Sequence, residues 1–124
     1  MLKIILAAIT LALTLASANA AHAHDGAKPR HGGIVQASSD LSFELVVSPD
    51  GAILYVEDHG KPVNPAGMSG KLTVLKGTEK SEAELVPAGD RLLAKGIKLQ
   101  SGAKVVAALD TPSKKTITVR FAVK

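Results

Sequence analysis

The chain has 124 residues, a formal net charge of +4 at pH 7 and no cysteine. This length allows one domain with one core, and the lack of cysteine excludes disulfide bonds, so packing alone has to stabilise the fold. The lysines are spread along the sequence, with only Lys114 and Lys115 adjacent, and form no basic cluster that alternates with aromatic residues. No nucleic-acid-binding surface is therefore predicted.

The first 20 residues have the pattern of a secretory signal peptide. Lys3 supplies a positive charge, residues 4–15 form an apolar run, and Ala18 and Ala20 are the small residues of a cleavage site. The apolar run is shorter than the roughly 20 residues that a transmembrane helix needs. We therefore predict export to the periplasm, cleavage after Ala20 and no membrane insertion once the leader is removed.

Residues 21–32 are predicted to form a flexible arm, and this arm contains His22, His24 and His31 of the four histidines in the chain. Neutral imidazole is the commonest metal ligand in proteins and suits copper and zinc. The other arm residues, mostly glycine, alanine, lysine and proline, offer little to bury, so the arm is expected to lie outside the packed domain. Two interpretations stay open: metal capture by the arm, or a polar spacer between the leader and the domain.

Residues 33–124 are typical of a single all-β domain. Polar and apolar residues alternate along short segments separated by turns rich in glycine and proline, which is the pattern of strands with one buried face. Seven segments show it: 41–48, 52–58, 71–77, 81–90, 91–99, 103–110 and 115–124. We predict an immunoglobulin-like β-sandwich of about seven short strands, with a small β-barrel as the alternative.

Two of these segments carry specific expectations about burial. In 41–48, Phe43, Leu45 and Val47 are expected to face the core, whereas Glu44 is expected on the opposite face. In 103–110, the mixture of valine and alanine predicts burial on both faces.

The sequence offers little for catalysis. It has no cysteine, no serine in the context of a nucleophile elbow and no glycine-rich phosphate loop between a strand and a helix. Glu57 and Asp58 are neighbours on a predicted strand, so their side chains point to opposite faces and cannot act together as a carboxylate pair. We therefore predict no catalytic residues and a protein that is not an enzyme.

The fourth histidine, His59, follows the strand 52–58 and begins a loop that contains Met68. A thioether favours Cu(I), and imidazole suits copper and zinc, so both residues are candidate ligands at the rim of the domain. The alternatives are an exposed turn position for His59 and a gap-filling position for Met68.

Short motifs in the first half of the domain resemble a known family. They are His31-Gly32-Gly33, Phe43-Glu44-Leu45, Leu54-Tyr55-Val56 and Gly60-Lys61-Pro62-Val63. The pattern is similar to the small N-terminal β-domain of periplasmic adaptor subunits of heavy-metal efflux pumps of the resistance-nodulation-division type, and to small free-standing exported proteins. The sequence shows no long helical hairpin of an adaptor. The resemblance therefore implies a stand-alone periplasmic accessory domain linked to copper, zinc, cobalt or cadmium handling.

Two function hypotheses follow from these observations. In the first, the protein is a periplasmic metal-binding accessory protein that serves heavy-metal efflux or tolerance and binds a copper or zinc ion, with a metal-efflux pump component as partner. The candidate ligands of this ion are His22, His24, His31, His59 and Met68. In the second, the domain is a metal-independent interaction module that docks on another envelope protein through an edge strand or the 59–70 loop.

Overall fold

The computed structural model describes residues 28–124, so the predicted signal peptide and the arm residues His22 and His24 lie outside the described part of the chain. The described residues form nine β-strands and no helix, which confirms the all-β prediction. No helix in this part of the chain is long and apolar enough to cross a membrane. The strands are β1 (Ile34–Ser38), β2 (Leu41–Ser48), β3 (Gly51–Asp58), β4 (Lys61–Pro62), β5 (Ser69–Lys76), β6 (Glu79–Ala88), β7 (Arg91–Lys95), β8 (Lys104–Asp110) and β9 (Thr116–Ala122).

The nine strands belong to one sheet with the order β1-β2-β3-β7-β6-β5-β8-β9, and β4 pairs with the end of β3. The long strand β6 joins two halves of this sheet, because its first residues pair with β5 and its last three pair with β7. The two ends of the sheet approach each other where the Ser38 hydroxyl of β1 donates a hydrogen bond of 3.0 Å to the Thr118 carbonyl of β9. Of the two predicted architectures, the small barrel therefore describes this nearly closed sheet.

The inner face of the sheet is packed with apolar side chains. Alternate residues point inward most clearly in β9, where Ile117, Val119 and Phe121 are buried and the residues between them are exposed. Leu72 and Val74 of β5 are buried as their alternation predicts. Burying a side chain of this size contributes about 1.5–3 kcal/mol, so the inner face stabilises the fold without a disulfide.

Two of the burial expectations are wrong, those for Val47 and for β8. Val47 is 49% exposed because it lies at the hairpin end of β2. Glu44 lies on the opposite face of β2, as expected, but it is only 6% exposed. On β8, the residues facing away from the core, Val106 and Ala108, are half-buried rather than buried, because no layer covers them completely. Strands β1 and β4 are not predicted from the sequence alone.

Candidate functional site

Residues 30–33, which we call the strap, cross the outer face of β2 and bind the side chain of Glu44. The backbone N–H groups of Arg30, His31 and Gly33 donate hydrogen bonds of 3.0, 2.9 and 2.8 Å to the two carboxylate oxygens. The His31 ring adds a fourth contact, since its Nδ1 lies 3.0 Å from Oε1 of Glu44. Glu44 is therefore buried although it points away from the core, and the predicted arm is docked on the sheet from Arg30 onward.

Two glycines allow the strap to approach the sheet this closely. A Cβ atom on Gly33 would lie 2.4 Å from the Leu45 carbonyl oxygen and 2.9 Å from a methyl group of Val46. Any larger residue at this position would push the backbone off β2. Gly32 has a φ of 72°, a left-handed conformation that glycine adopts without a steric cost. The Gly32-Gly33 pair therefore serves the docking of the strap.

The hydrogen bonds of the strap control the ionisation of Glu44. Burial alone would raise the pKa of this carboxyl group. The hydrogen bonds from the Gly33 N–H, the His31 ring and the N–H groups of His31 and Arg30 together outweigh burial, so the pKa lies below its ordinary value. Glu44 is therefore an ionised acceptor at neutral pH.

The His31 ring lies flat on the ring of Tyr55, with the two centroids 3.6 Å apart and the planes inclined by 1°. Tyr55 of β3 pairs directly with Glu44 of β2, so both contacts of His31 come from neighbouring positions on one face of the sheet. The Arg91 guanidinium lies 5.6 Å from the centre of the Tyr55 ring, within the range of a cation–π contact. The His31 side chain is thus fixed in orientation, yet it remains 40% exposed.

Arg30 attaches the strap to the sheet at a second point. Its Nε lies 2.9 Å from Oε1 of Glu57, and its Nη2 donates a hydrogen bond of 2.9 Å to the Gly60 carbonyl. Glu57 is 9% exposed, and its Oε2 is buried with no hydrogen-bond partner among the residues that the structure describes. Because the Arg30 side chain is 54% exposed, this ion pair is partly screened by water. The strap therefore runs from β2 toward the turn between β3 and β4.

His59 lies at the tip of this turn. Asp58 pairs with Lys61, and the two turn residues His59 and Gly60 have φ values of 49° and 81°, as a two-residue type I′ hairpin requires. The Nδ1 of His59 contacts a carboxylate oxygen of Asp58, so this ring resembles that of His31 in its partner. It differs in its surroundings, because the His59 side chain is 83% exposed and the Asp58 side chain is 55% exposed.

Met68 occupies a different environment from the histidines. It is 9% exposed and belongs to the hydrophobic core, so it fills space between apolar neighbours. Among residues 28–124, no three His, Asp or Glu side chains form a group that could hold a metal ion. A metal ion bound at His31 or His59 therefore needs further ligands, and His22 and His24 are the histidines outside this range.

Three residues of this site, Glu44, Tyr55 and Glu57, are not predicted as site residues from the sequence. The sequence does contain one signal for the site, since Glu44 is a charged residue between the apolar residues Phe43 and Leu45. This signal becomes informative only when the outer face of β2 is known to be covered. No protein-family model matches the chain, and comparisons with curated proteins and with solved structures find no match. The geometry of the site therefore carries the functional argument.

Proposed function

We propose that the protein is an exported metal-binding accessory protein in which His31 Nε2 is the fixed ligand of a copper or zinc ion. The observation that carries this proposal is that the His31 ring is fixed in place and still accessible. It is held by Glu44 and Tyr55, yet its side chain is 40% exposed. A histidine whose Nδ1 is bound to a carboxylate presents Nε2, and metal-binding histidines very often have this second partner.

His22 and His24 are the further ligands in this proposal. The Arg30 side chain binds the Gly60 carbonyl, so the start of the strap lies beside the turn that contains His59. His24 precedes His31 by seven positions. A chain spans at most about 3.3–3.6 Å per residue, or roughly 25 Å over this length. The arm is therefore long enough to bring His22 and His24 back to either His31 or His59.

The available donor atoms favour a divalent ion. The exposed donors of this region are imidazole nitrogens and carboxylate oxygens, as in His31, His59 and Asp58. The chain has no cysteine, and its two methionines are Met1 in the predicted leader and the buried Met68. Nitrogen and oxygen donors suit Cu(II) and Zn(II), whereas Cu(I) prefers sulfur. Met68 is therefore not part of the proposed site.

The biological role that fits these features is heavy-metal efflux or tolerance in the periplasm. The signal-peptide pattern supports export, and the resemblance to the adaptor domains of metal-efflux pumps supports a pump component or another envelope protein as the partner.

Calorimetric titration with Cu(II) and Zn(II) tests this function. We expect a dissociation constant below about 1 μM for the purified protein and loss of binding when all four histidines are replaced by alanine. His31→Ala is expected to weaken binding more than the matched change His59→Ala, because only His31 is held in place by the buried Glu44 and the half-buried Tyr55. Binding no tighter than micromolar, or equal binding by the variant without histidines, contradicts the proposal.

A metal-independent interaction module is the second candidate function, and one surface feature favours it. Val46, Ile53, Leu93 and Val86 are direct cross-strand neighbours on β2, β3, β7 and β6, so they form one aliphatic row on the outer face. Val86 is 52% exposed at the end of this row. A shallow groove of about 330 Å³ lies beside it. Such a row is suited to contact with an apolar surface of another protein.

Capture of partners from an envelope extract in the presence of a chelator tests this second function. A partner that is retained by the wild type without metal, and released by Val86→Asp, supports the interaction module. A partner that is retained only with metal, or retained equally by both proteins, contradicts it.

A further inference from the structure

Glu44 is the residue at which both the strap and the His31 ring are attached to the sheet. Its carboxylate accepts from three backbone N–H groups, those of Arg30, His31 and Gly33, and contacts His31 Nδ1, all within 3.0 Å. A carboxylate has about four acceptor positions. These four contacts therefore use its whole hydrogen-bonding capacity, and each of them is made by the strap.

The arrangement selects one form of the neutral imidazole. Each oxygen of Glu44 accepts a backbone N–H group, from Arg30 on Oε1 and from His31 and Gly33 on Oε2, so the carboxylate acts here only as an acceptor. His31 Nδ1 consequently has to carry the hydrogen, and the lone pair that a metal ion needs is then on Nε2. The stacked ring of Tyr55, at 3.6 Å, keeps the plane of the imidazole constant, so Nε2 has a fixed direction.

We propose that Glu44 is a positioning residue for metal binding, which fixes His31 in the tautomer with hydrogen on Nδ1 and presents Nε2 to the ion. This inference rests on the proposed function for the role of the metal, but the tautomer is set in the metal-free protein. Removing the outer partner of a metal-binding histidine typically lowers metal affinity about 10–100-fold. The Asp58–His59 pair provides an internal contrast, because both of its side chains are exposed.

The tautomer is measured from the ¹⁵N chemical shifts of the His31 ring in the metal-free protein. At about pH 8, where an ordinary imidazole is neutral, we expect a protonated Nδ1 and an unprotonated Nε2 in the wild type. Hydrogen on Nε2 overturns the proposal, and this measurement does not depend on whether any variant folds.

The affinity is measured by titration of Zn(II) into the wild type, Glu44→Gln and the matched control Glu82→Gln. Glu82→Gln removes a carboxylate of β6 that pairs with Lys71 and Lys80 rather than with the strap. We expect about a 10–100-fold loss of affinity for Glu44→Gln and a much smaller change for the control. Equal affinities for the wild type and Glu44→Gln overturn the proposal. The expected tautomer without any Zn(II) binding overturns the proposed function instead and leaves the positioning of His31 by Glu44 intact.

Discussion

The inner and outer faces of strands β2 and β3 are buried by different means. On the inner face, Phe43, Leu45 and Leu54 are at most 1% exposed among other apolar side chains. On the outer face, Glu44 is covered by the strap and satisfied by four hydrogen bonds. Apolar burial is non-directional and tolerates repacking, whereas a buried carboxylate requires each donor in its place. The inner face therefore supplies stability, and the outer face supplies a fixed orientation for one imidazole, that of His31.

The largest loss of stability is expected from a change on the inner face. Leu72 of β5 is fully buried, so Leu72→Ala leaves a cavity and should lower the free energy of unfolding by about 2–5 kcal/mol. Urea denaturation measures this loss. Metal affinity of the folded variant should stay close to that of the wild type, because β5 lies in the other half of the sheet from the strap. If Leu72→Ala lost as much metal affinity as Glu44→Gln, the assignment of stability to the inner face and of metal binding to the outer face would be contradicted.

A smaller loss of stability is expected when the strap is pushed off the sheet. The added methyl group of Gly33→Ala would lie 2.4 Å from the Leu45 carbonyl oxygen, so we expect a cost of about 1–3 kcal/mol. Hydrogen exchange of the His31 N–H should also become faster, because this group would no longer reach Glu44. The control is Gly32→Ala, whose Cβ would contact nothing within 4 Å. Its left-handed φ costs about 1–2 kcal/mol without displacing the strap, so equal exchange rates in the two variants would contradict this account.

The sequence predicts burial on the inner face but not the contacts on the outer face, for a physical reason. Alternation along β9 predicts that Ile117, Val119 and Phe121 are buried, because a strand points successive side chains to opposite faces. The contact between His31 and Glu44 joins positions 13 residues apart and depends largely on backbone N–H groups, which nearly every residue carries. The closure of the sheet is not predicted either. It depends on β6 pairing first with β5 and then with β7, and this pairing is set by strand register rather than by alternation.

The smallest loss of stability is expected when the pH is lowered. Glu44 has a lower pKa in the folded protein than its ordinary value of 4.5, so its contribution to stability is fully present above this pH. The contribution is lost as the pH falls from there through the lowered folded pKa, because the unfolded chain then binds the proton more readily. Urea midpoints of the wild type and Glu44→Gln should therefore differ at pH 7 and converge in acid. A difference that stays constant down to about pH 3 would show that the charge of Glu44 does not stabilise the strap.

The central claim, that a metal ion binds His31 on the outer face, is tested most directly by tyrosine fluorescence. Tyr55 is the single tyrosine of a chain without tryptophan, and its ring stacks on His31 at 3.6 Å. Paramagnetic Cu(II) on His31 Nε2 should quench this fluorescence in a saturable titration, whereas Zn(II) should not. We expect His59→Ala to retain the quenching and His31→Ala to lose it. A titration in which Cu(II) leaves Tyr55 unquenched in the wild type, or quenches His31→Ala equally, would contradict the claim.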